Sequence, residues 1–150
     1  MNRSIVIYVL GYILKTEGVL MSLPCFIALI YRETEGWAYF TVAIISILLG
    51  QLMTMRKPKD YVIYLKEGCV ATSLSWILMG VIGAIPFMIT GEIPSFINAL
   101  FEMVSGFTTT GASILSDVEA VSRCSTTWRC FSHWIGGMGV LVFIIAIVPL

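Results

Sequence analysis

Four consecutive residues, Thr108-Thr109-Thr110-Gly111, carry no ionisable side chain. What they can offer is backbone oxygen. An extended strand can turn successive carbonyls to one side, where they replace the hydration shell of a cation. Gly111 permits backbone angles closed to other residues, which lets neighbouring carbonyls face the same way. The β-branched threonines suit an extended conformation. Immediately before them lies Ser95–Gly106, a stretch punctuated like a helix, with Pro94-Ser95 at its start and Gly106 at its end. A helix C-terminus carries about half a negative charge, so it favours a cation just beyond it. The plain alternative is a threonine-rich surface turn closed by glycine.

The surrounding elements separate the two. Hydrophobic residues make up 58% of the 150-residue chain and charged residues 12%, with a mean hydropathy of +0.93. A water-soluble domain carries roughly 25% charged residues, so lipid is the expected solvent. Four apolar runs, near Ile5–Ile30, Trp37–Met55, Cys69–Ile89 and Thr127–Leu150, reach the roughly 20 residues a membrane-crossing helix needs. Ser95–Gly106 does not. Its length as a helix is about 18 Å, little more than half the hydrocarbon thickness. A half-length helix between two full spans predicts a re-entrant element, tolerated at membrane depth only beside protein or a water-filled cavity. In that setting the Thr/Gly stretch reads as a cation filter.

Basic and acidic residues balance at nine each, which gives no global field for nucleic acid. Their placement is uneven. Arg56, Lys57, Lys59 and Lys66 cluster between the second and third long runs, which puts residues 56–67 and the N-terminus in the cytoplasm by the positive-inside rule. The short helix then enters from outside. The first run lacks a cleavage site and reads as a retained span. Lys15 and Glu17 interrupt it; they are read as interfacial, with residues 18–34 crossing and Lys15 snorkelling, against the alternative of a buried pair serving transport.

On the last span, Gly136, Gly137 and Gly139 form a small-residue face that lets a neighbouring helix approach closely, and packing against the short helix is expected. Glu102 and Arg129 are the charges nearest the Thr/Gly stretch; they are either a buried pair bracing the short helix or two solvated charges. His133 stands alone and is not expected to bind metal. Cys25, Cys69, Cys124 and Cys130 show no C-x-x-C spacing or zinc-like ligand set. Zinc-protease, serine-hydrolase and phosphate-loop motifs are absent from the sequence, so an enzyme has little support.

The order of span, short helix with Phe101-Glu102-x-x-Ser105-Gly106-Phe107-Thr108-Thr109-Thr110-Gly111-Ala112-Ser113, then a span with Trp128-Arg129 and Trp134-Ile135-Gly136-Gly137-Met138-Gly139, resembles the Trk/Ktr/HKT potassium transporters. Two extra spans ahead of this unit bring it nearer the TrkH-type subunits. The resemblance implies an all-α integral membrane protein, with an N-terminal helix pair at 1–56 and one helix–re-entrant pore helix–filter–helix unit at 57–150. It implies K+ held by backbone carbonyls of Thr108, Thr109, Thr110, Gly111 and Ala112, with glycine at 111 pointing to potassium over sodium. It also implies a cytoplasmic TrkA-like nucleotide-binding regulatory partner, a homodimer of the full subunit in the cytoplasmic membrane, and no organic cofactor. In that family four such units surround one pore. One unit is visible here, so the chain is expected to be a fragment of a longer subunit, with a non-transporting scaffold as the alternative.

Overall fold

The computed structural model describes residues 3–56, 58 and 64–147, with residues 65 and 140–147 described by their backbone. Among the described residues every regular element is a helix. The first is α1 (Arg3–Leu20), followed after a break at Met21 by α2 (Ser22–Tyr31). The break has a local cause. Pro24 has no N–H to give to the carbonyl of Leu20, so the ladder is interrupted one turn earlier, while the Met21 amide still bonds to the Glu17 carbonyl at 2.9 Å. Together α1 and α2 form a 29-residue candidate span, Arg3–Tyr31. It ends at Arg32, which adopts a left-handed conformation (φ 56°) and returns its amide to Ala28.

The second long element, α3 (Gly36–Thr54), runs back against α1. Their backbones nearly touch where Gly50 meets Gly11: a Cβ on Gly50 would lie 2.5 Å from the Gly11 carbonyl oxygen. Small residues make this approach possible, and dispersion between the closely packed helices holds them in lipid. Next come α4 (Leu65–Ile89), the 12-residue α5 (Phe96–Phe107) and α6 (Arg123–Ile147). A turn with Gly91 at φ +75° separates α4 from α5.

Among the described residues, three helical stretches, Arg3–Tyr31, Gly36–Thr54 and Lys66–Ile89, are long and apolar enough to cross a membrane. Large apolar side chains such as Leu29, Leu48, Leu52 and Ile77 stand exposed on them. A contiguous apolar exterior of this kind suits lipid and not water. Among the described residues the interior holds two apolar clusters: a smaller one of Ile5, Val6, Leu10 and Ala71, and a larger one drawn from both halves of the chain, with Met21, Tyr39, Phe87, Met103, Phe107 and Trp128 fully enclosed. Polar contacts pin it: the Tyr39 hydroxyl meets Ser125 Oγ at 2.8 Å, and Trp128 Nε1 donates to the Gly83 carbonyl at 3.2 Å.

The helices differ from the apolar runs in instructive ways. Helix α4 begins at Leu65 and α6 at Arg123, each four residues before the run that marks it. A hydropathy pattern measures the lipid-facing part, and polar residues extend a helix beyond it. The first span is two helices rather than one. Glu17 is 1% exposed and enclosed by protein. It does not pair with Lys15, whose ammonium lies over the Tyr12 ring, 5.0 Å from its centroid. Within the basic link, residues 57 and 59–63 lie outside the described residues, as do residues 148–150 of the last run.

Candidate functional site

Helix α5 ends where its apolar sequence meets the threonines. Its last carbonyls are closed by the amides that follow: Thr108 N–H bonds to Val104 O, Thr109 N–H to Gly106 O and Thr110 N–H to Ser105 O, each at 2.9 Å. The helix end therefore consumes the donors of the Thr/Gly stretch and leaves its acceptors over. Among the described residues, no hydrogen bond is donated to the carbonyl oxygens of Thr108, Thr109, Thr110 or Gly111. All four residues are exposed. The Thr108 hydroxyl turns back to Val104 O at 2.7 Å and sits 2.8 Å from the Thr110 hydroxyl, so these side chains tie the turn together.

The backbone is not the plain extended strand expected. Thr108 sits at φ −84°, ψ 0°, whereas Thr109 has φ +57° and Gly111 φ +78°. Positive φ comes without steric cost at Gly111, but a β-branched residue there is a genuine outlier. Such conformations persist only where surrounding structure enforces them, and they cluster at functional sites. Ala112 also departs from expectation. Its carbonyl accepts the Ser105 hydroxyl at 2.6 Å, so one lone pair is already engaged inside the protein. The outer side of the turn borders an open depression of about 360 Å³ lined by Leu100, Val104, Ser105, Thr108, Thr110 and Ala112. This chain supplies oxygens from one side only.

Behind the turn, a buried carboxylate organises three elements. Glu102, on α5 and 1% exposed, pairs with Arg129 Nε on α6. The same carboxylate accepts from Ser113 Oγ at 3.1 and 3.2 Å and from the Ile114 amide at 3.0 Å. Helix α5, the segment after the threonines and α6 thus converge on one side chain. Partnering of this kind is what makes a buried charge tolerable. The structure brings Glu102 and Arg129 together as a pair; Ser113 and Ser105 were not foreseen. A signal for both existed, because two short hydroxyls flank TTTG in an otherwise apolar stretch, but nothing in their spacing named their partners.

The three glycines of α6 do different things. A Cβ on Gly136 would fall 2.1 Å from the Phe107 carbonyl oxygen, so this position sets the distance between α6 and the end of α5. Gly137 faces the Thr109 methyl at 3.9 Å and Gly139 the Trp76 ring at 3.5 Å, both ordinary contacts. Gly106, read only as a helix stop, is a contact point too: its Cβ would overlap the Ser132 hydroxyl at 2.0 Å. His133 Nδ1 lies 2.9 Å from Arg129 O, a contact within its own helix. The four cysteines are free thiols. No group of three or more metal-ligating side chains occurs among the described residues.

The end of the bundle where α6 begins is clasped by acidic residues. Glu33, after α2, accepts from the amides of Arg123 and Cys124 at 2.9 and 3.0 Å, and Glu92 accepts from the Ser122 amide at 2.6 Å. These carboxylates satisfy the open N-terminal amides of α6 and complement its positive end. The Arg123 guanidinium lies 4.3 Å over the Tyr31 ring.

Residues 36–150 match the family described as TrkH, a cation transport protein. The Trk system potassium uptake protein TrkG of Escherichia coli K12 is 34% identical across 100% of this chain and 32% of its own length. An uncharacterized cation transporter of Methanocaldococcus jannaschii is 31% identical over 91% of this chain and 29% of its own. The crystal structure of the potassium transporter TrkH from Vibrio parahaemolyticus superimposes with a TM-score of 0.90 at 30% identity, covering 100% of this chain and 32% of that one. The chain thus spans about a third of the length of the relatives it matches.

Proposed function

Because the chain belongs to the TrkH family of cation transport proteins, we propose that it supplies one pore unit of a potassium-uptake transporter in the cytoplasmic membrane. The carbonyl oxygens of Thr108, Thr109, Thr110 and Gly111 face the ion, and Ala112 marks the edge of the row. One observation carries this reading: the amides of Thr108, Thr109 and Thr110 are all used to close α5, while the four carbonyls from 108 to 111 receive no hydrogen bond among the described residues. Four adjacent free acceptors beyond the negative end of a helix favour a cation. In exchange for its water shell the ion gains these oxygens. The remaining sides of its coordination come from other units of a protein of the relatives' length. Glu102 and Arg129 hold the pore helix at the correct distance from α6, and no covalent chemistry or organic cofactor takes part.

The same reading puts the N-terminus and residues 56–67 in the cytoplasm, α5 entering from outside, and lipid around the exposed apolar faces. A TrkA-like nucleotide-binding subunit would regulate it from the cytoplasm, and the full subunit would form a homodimer. The test is ion flux into vesicles containing the full-length protein. Gly111→Ala puts a side chain at φ +78° and is expected to abolish selective K+ flux, whereas Gly137→Ala, whose new methyl meets nothing closer than the Thr109 methyl at 3.9 Å, retains it. Selective K+ flux undiminished in Gly111→Ala would remove the filter from this stretch.

A further inference from the structure

Glu17 has no part in the filter, yet among the described residues it is a buried acid with neither carboxylate oxygen partnered. It lies in the last turn of α1, four residues before the break at Met21, with 1% of its surface exposed. Neither carboxylate oxygen has a hydrogen-bond partner. Oε1 lies 3.4 Å from where a Cβ on Gly83 of α4 would stand, and that same point is 2.7 Å from Met103 Cε and 3.4 Å from Phe107 Cε2, both on α5. The carboxyl is thus wedged between α1, α4 and the back of the pore helix, against methylene, thioether and ring.

The titratable and charged groups on the surrounding elements are engaged elsewhere. On α1, Lys15 stacks over Tyr12. On α3, whose Ala43 and Ile47 pack against Gly18, the sole such group is Tyr39, bonded to Ser125. On α2, the Cys25 thiol donates to Met21 O. Helix α4 carries Lys66, Glu67 and Cys69 at its opposite end, about 20 Å along the helix from Gly83. On α5, Glu102 is taken by Arg129, Ser113 and Ile114. On α6, Arg123 lies over Tyr31, the Cys124 thiol is beside Ser122, and His133 meets Arg129 O. The exposed Cys130 faces outward from the cluster.

An ionised carboxylate in such surroundings is strongly unfavourable unless something neutralises it. A side chain from elsewhere in a longer protein would have to penetrate an enclosed core. A metal cation would need several oxygen ligands, and the neighbours are apolar. A proton needs neither room nor further ligands. We propose that Glu17 is a proton-binding site, held as a neutral carboxylic acid in the packing between α1, α4 and the pore helix. Losing that proton to water would leave the carboxylate charged against Gly83, Met103 and Phe107, and α1 would have to swing at the Met21 break to solvate it. Phe107 precedes the first filter residue, so a displacement there reaches the filter. That last consequence rests on the filter reading; the proton site rests on the packing alone.

The test is infrared difference spectroscopy on the full-length protein in vesicles at pH 7, wild type minus Glu17→Gln. Exposed acids such as Asp117 and Glu119 are common to both samples and cancel. The expected result is one protonated-carboxyl C=O band per chain in the wild type, lost in the variant. Should Glu17→Gln fail to assemble, Glu17→Met, similar in volume and apolar, replaces it in the same subtraction. Carboxylate stretches in place of the acid band, with either variant, would overturn the assignment. Because the reading is spectroscopic, it is independent of whether the protein conducts K+.

Discussion

Replacing Gly136 by alanine is expected to loosen the joint between α6 and α5, while the same change one residue on at Gly137 is expected to strengthen the protein. At position 136 the new Cβ falls 2.1 Å from the Phe107 carbonyl oxygen, 2.7 Å from its carbonyl carbon and 3.0 Å from its Cα. All three are backbone atoms at the end of α5, so no side-chain rotation relieves the overlap. Helix α6 must retreat by about 1 Å in a close-packed interior. Overpacking of this kind costs about 3 kcal/mol at the upper end of its range, and the better helix propensity of alanine offsets about 1 kcal/mol of that. At position 137 the nearest atom is the Thr109 methyl at 3.9 Å, so only the propensity gain of about 1 kcal/mol remains. The two variants should therefore differ by about 3 kcal/mol, with opposite signs relative to the wild type. Thermal unfolding of the full-length protein in detergent gives the order: Gly137→Ala above wild type, Gly136→Ala below it. Uptake of K+ should fall only in Gly136→Ala, because Phe107 leads directly into Thr108. A Gly136→Ala protein as stable as Gly137→Ala would refute the claim that this contact sets the pore-helix position.

Three further outcomes follow from the same geometry. Neutralising Glu102 or Arg129 alone should destabilise the protein by about 3 kcal/mol, because either change strands a buried charge; a double-mutant cycle should return a coupling well above 0.5 kcal/mol, roughly the limit for independent sites. A charge swap should restore only part of the uptake, because Ser113 and Ile114 also depend on the carboxylate at 102. Glu33→Ala should cost about 1–2 kcal/mol through loss of the α6 cap, read as a lower unfolding temperature that Glu33→Gln partly recovers. Burial pushes the Cys124 thiol, which lies in the first turn of α6 ahead of its apolar run, up to about 11. At pH 8 about one thiol in a thousand would be ionised, so a thiolate-selective reagent should leave Cys124 unlabelled until the protein is denatured; rapid labelling of the folded protein at pH 8 would contradict this.

Much of the architecture was legible because lipid imposes a simple requirement. A chain with 58% hydrophobic residues is expected to arrange its long apolar runs as membrane-crossing helices and to hold one run too short to cross. The short helix was placed at 95–106 and lies at Phe96–Phe107. Boundaries at Leu65 and Arg123 were missed because hydropathy is blind to polar helical turns. The Pro24-linked break was missed because the apolar pattern runs through it without interruption. The enclosure of Glu17 was not legible for a different reason: it depends on Gly83, 66 positions away, and no local pattern records that they meet.

The residue types alone pointed to backbone oxygen as what residues 108–111 can offer, since a Thr/Gly tetrad beyond a helix end has little else. Tertiary structure decided which oxygens remain free. Ser105 captures the Ala112 carbonyl, the helix end absorbs the neighbouring amides, and Thr109 is held at positive φ. It also singled out Gly136 from three similar glycines and gathered Ser113 and Arg129 onto Glu102. The physical reason is range. Helix formation and lipid exposure depend on neighbours a few positions apart, whereas close approach and charge burial depend on which surfaces meet after the chain has closed on itself.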